Sequence, residues 1–206
     1  LCPVPATADS SQALTERYIA GTFRALVETA LAAPTDQAAA AVLRPLLQRD
    51  IAIDETARFV LGRYWPTDNT AAATRFQQQF GDFAAEALAA ALRAHPDVRL
   101  TVRRSRNTGA DSLVESDLAL GAGGAVPITW FVHEDRATGA RQIVDFTISG
   151  IDARIMLRTL AGTALEGDRG NLDGLIALFR HVAARAATGH PGGETDGVSA
   201  AEAISP

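Results

Sequence analysis

Four histidines, one cysteine and a scatter of carboxylates are the residues of this chain that could hold a metal or carry acid–base chemistry. Their spacing argues against most of it. His95, His133, His181 and His190 stand far apart, and none has a second ligand at the interval of a metal site. Cys2 is alone, which excludes an intrachain disulfide and a cysteine-based cluster. Lysine is absent and all 19 basic residues are arginine, so Schiff-base and general-base lysines are excluded. Gly121, Gly123 and Gly124 join two strand patterns rather than leading a strand into a helix, and no serine sits on a nucleophile elbow.

The carboxylate that survives this reading is Asp145. A carboxyl buried in an apolar cavity is desolvated, its pKa rises, and it becomes a general base, as in small ketosteroid-isomerase-like cones. On an alternating strand, however, Asp145 has parity opposite to Val144, Phe146 and Ile148. If those three face the core, Asp145 faces out. A small cavity enzyme with Asp145 as base stands as the alternative reading.

The elements that must position such groups fall into two halves. In residues 11–33, Ile19, Phe23, Leu26, Val27 and Ala30 recur on one helical face, and Pro34 marks the stop. Residues 36–48 form a weaker helix that Pro45 should bend or break. Asp54 is placed to cap a short helix with Ala57, Val60, Leu61, Tyr64 and Trp65 on one face, ended by Pro66. A long helix over 70–94 keeps Phe76, Phe80, Phe83, Leu88 and Leu92 in phase.

After His95-Pro96 the period changes to two. Val98, Leu100 and Val102 alternate with polar residues, and further strands are expected at Ser112–Leu120, Val126–His133 and Arg141–Ser149. The short turns between them imply antiparallel neighbours, hence a four-stranded meander. Two helical stripes close the chain, one of Ala153, Met156, Leu157, Leu160, Ala161, Ala164 and Leu165, the other of Leu172, Leu175, Ile176, Phe179 and Ala183. The expected class is α+β: N-terminal helices, an antiparallel meander and two C-terminal helices, with an apolar cavity available between sheet and helices.

A chain of 206 residues, 47% of them hydrophobic, can bury one sizeable core. The expected organisation is a disordered leader at 1–10, one domain at 11–187 and a disordered tail from 188 to 206. A net charge of −5 and a pI near 5.3 exclude a basic groove for nucleic acid. No apolar run approaches the roughly 20 residues that span a bilayer, so a soluble chain is expected. It begins without Met, which fits a signal peptide removed upstream.

Two stretches resemble a known family. Phe59-Val60-Leu61-Gly62-Arg63-Tyr64-Trp65, followed by Phe76-Gln77-Gln78-Gln79-Phe80, is similar to the aromatic, Leu-Gly, Trp and spaced-Phe pattern of the MlaC (toluene-tolerance, Ttg2-type) auxiliary family of lipid transport systems. Pro127-Ile128-Thr129-Trp130, then Ile143 to Asp152, then Arg158 resembles the family's closing strand pair and the Arg-bearing helix after it. The resemblance runs in order over residues 12 to 185. Ala85-Glu86-Ala87 stands where the family commonly has a Tyr, and Gln142 or Ile143 where a Trp is frequent. Those departures suggest a divergent branch, for which the hopanoid-associated HpnM branch is the candidate.

The resemblance implies a periplasmic carrier, without catalysis, metal or cofactor, whose cargo is a phospholipid or hopanoid-like lipid. Its implied partners are an inner-membrane ABC transporter with an MCE-domain subunit and an outer-membrane lipid complex, in the upkeep of outer-membrane lipid asymmetry. A monomer is expected, with no nucleic acid. From strand parity, Val102, Leu118, Ile128, Trp130, Phe146 and Ile148 are the expected lipid contacts on the sheet. Phe76, Phe80, Phe83 and Leu92 of the long helix are expected to face them.

Overall fold

The computed structural model describes residues 6–187, apart from 110, 122, 123, 136 and 169. The N-terminal half is helical: α1 (Ala6–Ala32), α2 (Asp36–Asp50), α3 (Ile53–Leu61) with a single 3₁₀ turn at Gly62–Tyr64, and α4 (Thr70–Ala94). The strands β1 (Arg99–Asn107), β2 (Asp111–Ala119), β3 (Ala125–Glu134), β4 (Arg141–Ile148) and β5 (Ile151–Asp152) follow, then α5 (Ala153–Gly167) and α6 (Leu172–Ala187). The strands form one antiparallel meander in chain order.

Several local expectations need correction. The first helix begins at Ala6, inside the expected leader; the rest of that leader and the tail from 188 lie outside the described residues. Pro45 neither breaks nor ends α2, which continues to Asp50. Proline removes one backbone donor, but buried Leu43 and Leu47 pin the helix on either side of it. Asp54 does not cap α3; the preceding residue Ala52 holds the cap position, and its N–H donates to Ile143 O at 2.9 Å. Side chains cap three of the other helices: Thr35 accepts from Ala38 N at 3.1 Å, Asn69 from Ala72 N at 3.0 Å and Asp152 from Ile155 N at 2.8 Å. A fifth strand exists because Ser149 and Gly150, with φ of 51° and 80°, make a two-residue turn that pairs Ile148 with Ile151.

Two apolar clusters result. The larger lies among the helices, where Phe80 sits 6.0 Å from Phe76, 5.8 Å from Phe83 and 6.2 Å from Phe179 of α6, ring centroid to ring centroid. The smaller lies under the sheet, where Ile19 of α1 covers Val114, Val132 and Ile143 of β2, β3 and β4. Arg93 ties α4 to the end of α1. Its guanidinium donates to Ala33 O at 2.6 Å and pairs with Asp36 at 2.5 Å, satisfying a helix-end carbonyl that would otherwise lack a donor.

Phe80 is 2% exposed, so its ring is structural filling. Phe80→Ala should lower unfolding free energy by roughly 3–5 kcal/mol. Urea titration should show an earlier midpoint with the slope unchanged, whereas an unaltered midpoint would mean that the ring lines an open space.

Candidate functional site

The meander has two chemically different faces. The outer face carries cross-strand ion pairs, Arg103–Asp117 at 2.5 Å and Arg104–Glu115 at 2.7 Å, with Leu113 and Phe131 as apolar members beside Asp145. The inner face is apolar. In register across the strands, Val102 lies beside Ser116, Ser116 beside Ile128 and Ile128 beside Ile148; in the next row Trp130 lies beside Phe146. All six expected sheet residues, Leu118 included, therefore share the inner face. A bulge between Val102 and Arg104 turns the end of β1, so that Ser105 reaches Glu16 of α1 at 2.8 Å.

That face is incompletely covered. Ile128 is buried, Val102, Leu118, Trp130 and Phe146 are half-buried, and Ile148 is 42% exposed. The indole N–H of Trp130 donates to Ser116 Oγ at 2.8 Å, with Ser116 itself buried. With its single polar group satisfied inside the sheet, the tryptophan ring can offer carbon alone to its surroundings. The Trp130 and Phe146 rings lie 5.7 Å apart and tilted by 39°, a continuous aromatic surface.

The helix half of the expected site is elsewhere. Phe76, Phe80, Phe83 and Leu92 belong to the interhelical cluster, packed with Leu43, Phe179 and their neighbours. α4 lies between α2 and α6, so its phenylalanine stripe faces helices and not the aromatic row of the sheet. A one-sided stripe specifies burial but not the partner, and the helices compete for it successfully. Leu118 is the expected sheet residue that packs against this cluster. An open cleft of about 330 Å³ lies along α3 and α4, lined by Asp54, Glu55, Arg58, Phe59 and Gln77; no expected site residue lines it.

Where β4, β5 and α5 meet, Ile148, Ile151, Ile155 and Met156 are all more than 40% exposed. The expectation that Met156 belongs to the buried stripe of α5 is thus corrected; Ala161 and Leu165 are the members that reach the core. Beside this corner sit two cations: Arg158, expected only as part of the family-like pattern, and Arg154, which nothing in the sequence singled out. Arg154 stacks 4.3 Å from the Phe59 ring centroid and Arg158 4.8 Å from it. Arg158 also donates to Phe59 O at 2.9 Å and Arg154 to Val144 O at 2.9 Å. Gly62 makes room for this arrangement: a Cβ there would stand 2.7 Å from Arg158 Nη2, at a φ of +50° that disfavours side chains anyway. Leu61-Gly62 and Arg158 were legible as a pattern; their mutual contact was not.

Asp145 pairs across the sheet with Phe131, on the parity opposite to Trp130 and Phe146. It therefore does not point into an apolar space under the sheet, as a cavity general base would. Its carboxyl accepts from Phe146 N at 2.7 Å, and burial, then the neighbouring carboxyl of Asp152, push it up to about 6. Asp152 is already engaged as the cap of α5, accepting from Ile155 N at 2.8 Å. Of the histidines, exposed His133 pairs with Asp111 at 2.7 Å; His190 lies outside the described residues. Among the described residues, no three of His, Cys, Asp and Glu converge on a metal-sized site.

These features define an α+β protein in which helices back a meander with an apolar, partly open inner face. The chain belongs to the MlaC family: the family model described as MlaC protein matches residues 16–181. A similar solved structure is that of the phospholipid-binding protein from Ralstonia solanacearum in complex with a phospholipid. It is 16% identical, with a TM-score of 0.60 over 82% of this chain and 97% of that one, a likeness of fold. No curated protein matches the chain. Among the described residues no helix is long and apolar enough to cross a membrane.

Because folding raises the Asp145 pKa from 3.8 to about 6, the folded protein holds this proton more tightly than the unfolded chain. The stability from that proton is complete below the unfolded value and is lost as pH rises through the folded one. The melting temperature of the wild type should therefore fall relative to Asp145→Asn between roughly pH 4 and pH 7, the gap narrowing again at lower pH. A gap that stays constant across that range would contradict the assignment of the raised carboxyl.

Proposed function

We infer that this protein is a periplasmic lipid carrier, with residues 11–187 as a single lipid-binding domain and the inner face of the meander as one wall of its site. The observation that carries this reading is the Trp130–Phe146 row: an apolar surface, internally satisfied in its polar groups and left half-covered by the helices. Membership of the MlaC family and the fold shared with a phospholipid-binding protein support it. Val102, Leu118, Ile128, Trp130, Phe146 and Ile148 are the proposed acyl-chain contacts. Phe76, Phe80, Phe83 and Leu92 act behind them, as packing that holds the helices in place.

The proposed route is the one the family resemblance implies. Cargo passes between an inner-membrane ABC transporter with an MCE-domain subunit and an outer-membrane lipid complex, the carrier travelling as a monomer after loss of a signal peptide. The cargo is a phospholipid; a hopanoid-like lipid is its counterpart if the chain belongs to the HpnM branch. No catalytic step and no cofactor are part of this proposal, since a carrier must return its cargo unchanged.

A charge placed on this wall should abolish retention without unfolding the protein. Phe146 is half-buried, so Phe146→Asp can turn its carboxylate toward water when the site is empty. Delipidated wild type should withdraw a fluorescent phosphatidylcholine from vesicles and hold it through gel filtration. Phe146→Asp should keep its circular dichroism and lose at least tenfold in retained lipid; equal retention would remove the sheet face from the site.

A further inference from the structure

The Arg154 and Arg158 guanidiniums both stack on Phe59, and each spends part of its hydrogen-bonding fork on a single backbone carbonyl. Among the described residues, neither lies within ion-pair distance of a carboxylate, and Arg154 Nε is buried without an acceptor. Three of the nearby acids are otherwise committed, while Asp54 and Glu55 line the cleft beside Phe59. Glu166 pairs with Arg63, Asp152 caps α5, and Asp145, which does exert an electrostatic pull on Arg154, hydrogen-bonds Phe146 N. Two like charges on one ring repel each other, and the negative ring face offsets that only in part. An anion at the accessible ends of the guanidiniums would relieve the repulsion and take up donors that no protein acceptor uses.

The geometry points to a phosphate-binding site: Arg154 and Arg158, presented by α5 and braced on Phe59, hold the phosphate of the cargo lipid's head group. This deepens the proposed function and rests on it. Guanidinium suits the task, because its planar fork matches phosphate oxygens in pairs. The position suits it as well. Arg154 is anchored to Val144 O on β4, two residues before Phe146, and lies in the same first turn of α5 as exposed Ile155 and Met156. The cations thus stand at the edge of the apolar face, where a head group would remain when acyl chains lie along that face. Gly62 belongs to the same device, since any side chain there would push Arg158 off the ring.

The test compares two ligands that differ only in the phosphate. Delipidated full-length protein is offered dioleoyl phosphatidic acid or dioleoylglycerol, each delivered from cyclodextrin, and bound lipid is extracted and counted. Wild type should take up the phosphatidic acid with at least tenfold preference. Arg154→Gln/Arg158→Gln should load both alike, at the wild-type level for dioleoylglycerol. Should the double variant fail to fold, Arg158→Gln alone, at an exposed side chain, should lose a large part of the preference.

Equal uptake of both lipids by wild type would overturn the phosphate site and leave the carrier reading standing. Uptake of neither would overturn the carrier reading itself. In a parallel arm, inorganic phosphate is titrated against the melting temperature of empty protein. A phosphate-dependent rise that the double variant lacks, without any lipid preference, would assign the site to a free anion and overturn its head-group role.

Discussion

The structure depends on how little of the sheet the helices cover. A five-stranded meander with one apolar face must bury that face or leave it to another occupant. α1 seals part of it, through Ile19 over Val114, Val132 and Ile143. The remaining helices pack chiefly on one another, around Phe76, Phe80, Phe83 and Phe179, and Ile51 touches both clusters. The helical core is thus built mostly by helices, with Leu118 of β2 packed against it. Trp130, Phe146 and Ile148 are left with apolar atoms that neither cluster fully claims.

That division suits a carrier in energetic terms. Burying a methylene is worth about 0.8 kcal/mol against water, so two acyl chains gain roughly 20–25 kcal/mol, above the ceiling of about 18–21 kcal/mol for non-covalent binding, if water is the reference. A bilayer already shelters those chains, and exchange between bilayer and protein is close to neutral in the hydrophobic contribution. The protein then needs a wall that stays folded when empty. A filled core among the helices supplies stability independently of cargo, and the indole hydrogen bond to Ser116 keeps the wall free of unsatisfied polar groups. Specificity can reside at the rim, where arginines meet water and a head group.

Much of this was legible in the residues. The change from a period of 3.6 to a period of two after His95-Pro96 marks the boundary between α4 and β1, and strand parity assigns six sheet residues to one face. Parity also turns Asp145 away from that face, as the register shows. What periodicity cannot convey is the partner of a stripe. The phenylalanines of α4 are in phase whether they meet a sheet or another helix, and Phe179, about a hundred residues later in the chain, decides the matter through tertiary packing. Pro45 shows the same limit, since buried leucines on both sides outweigh one lost hydrogen bond. The contact of Arg158 with Gly62 joins residues far apart in sequence, and only the folded chain displays it.

The most direct test of the central claim is native mass spectrometry of the purified full-length protein, with organic extraction of whatever is bound. A carrier with a half-open apolar wall should leave the cell loaded, giving a stoichiometric adduct of lipid mass whose extract contains phospholipid or hopanoid. A mass equal to that of the bare chain, unchanged after incubation with phospholipid vesicles, would contradict the account.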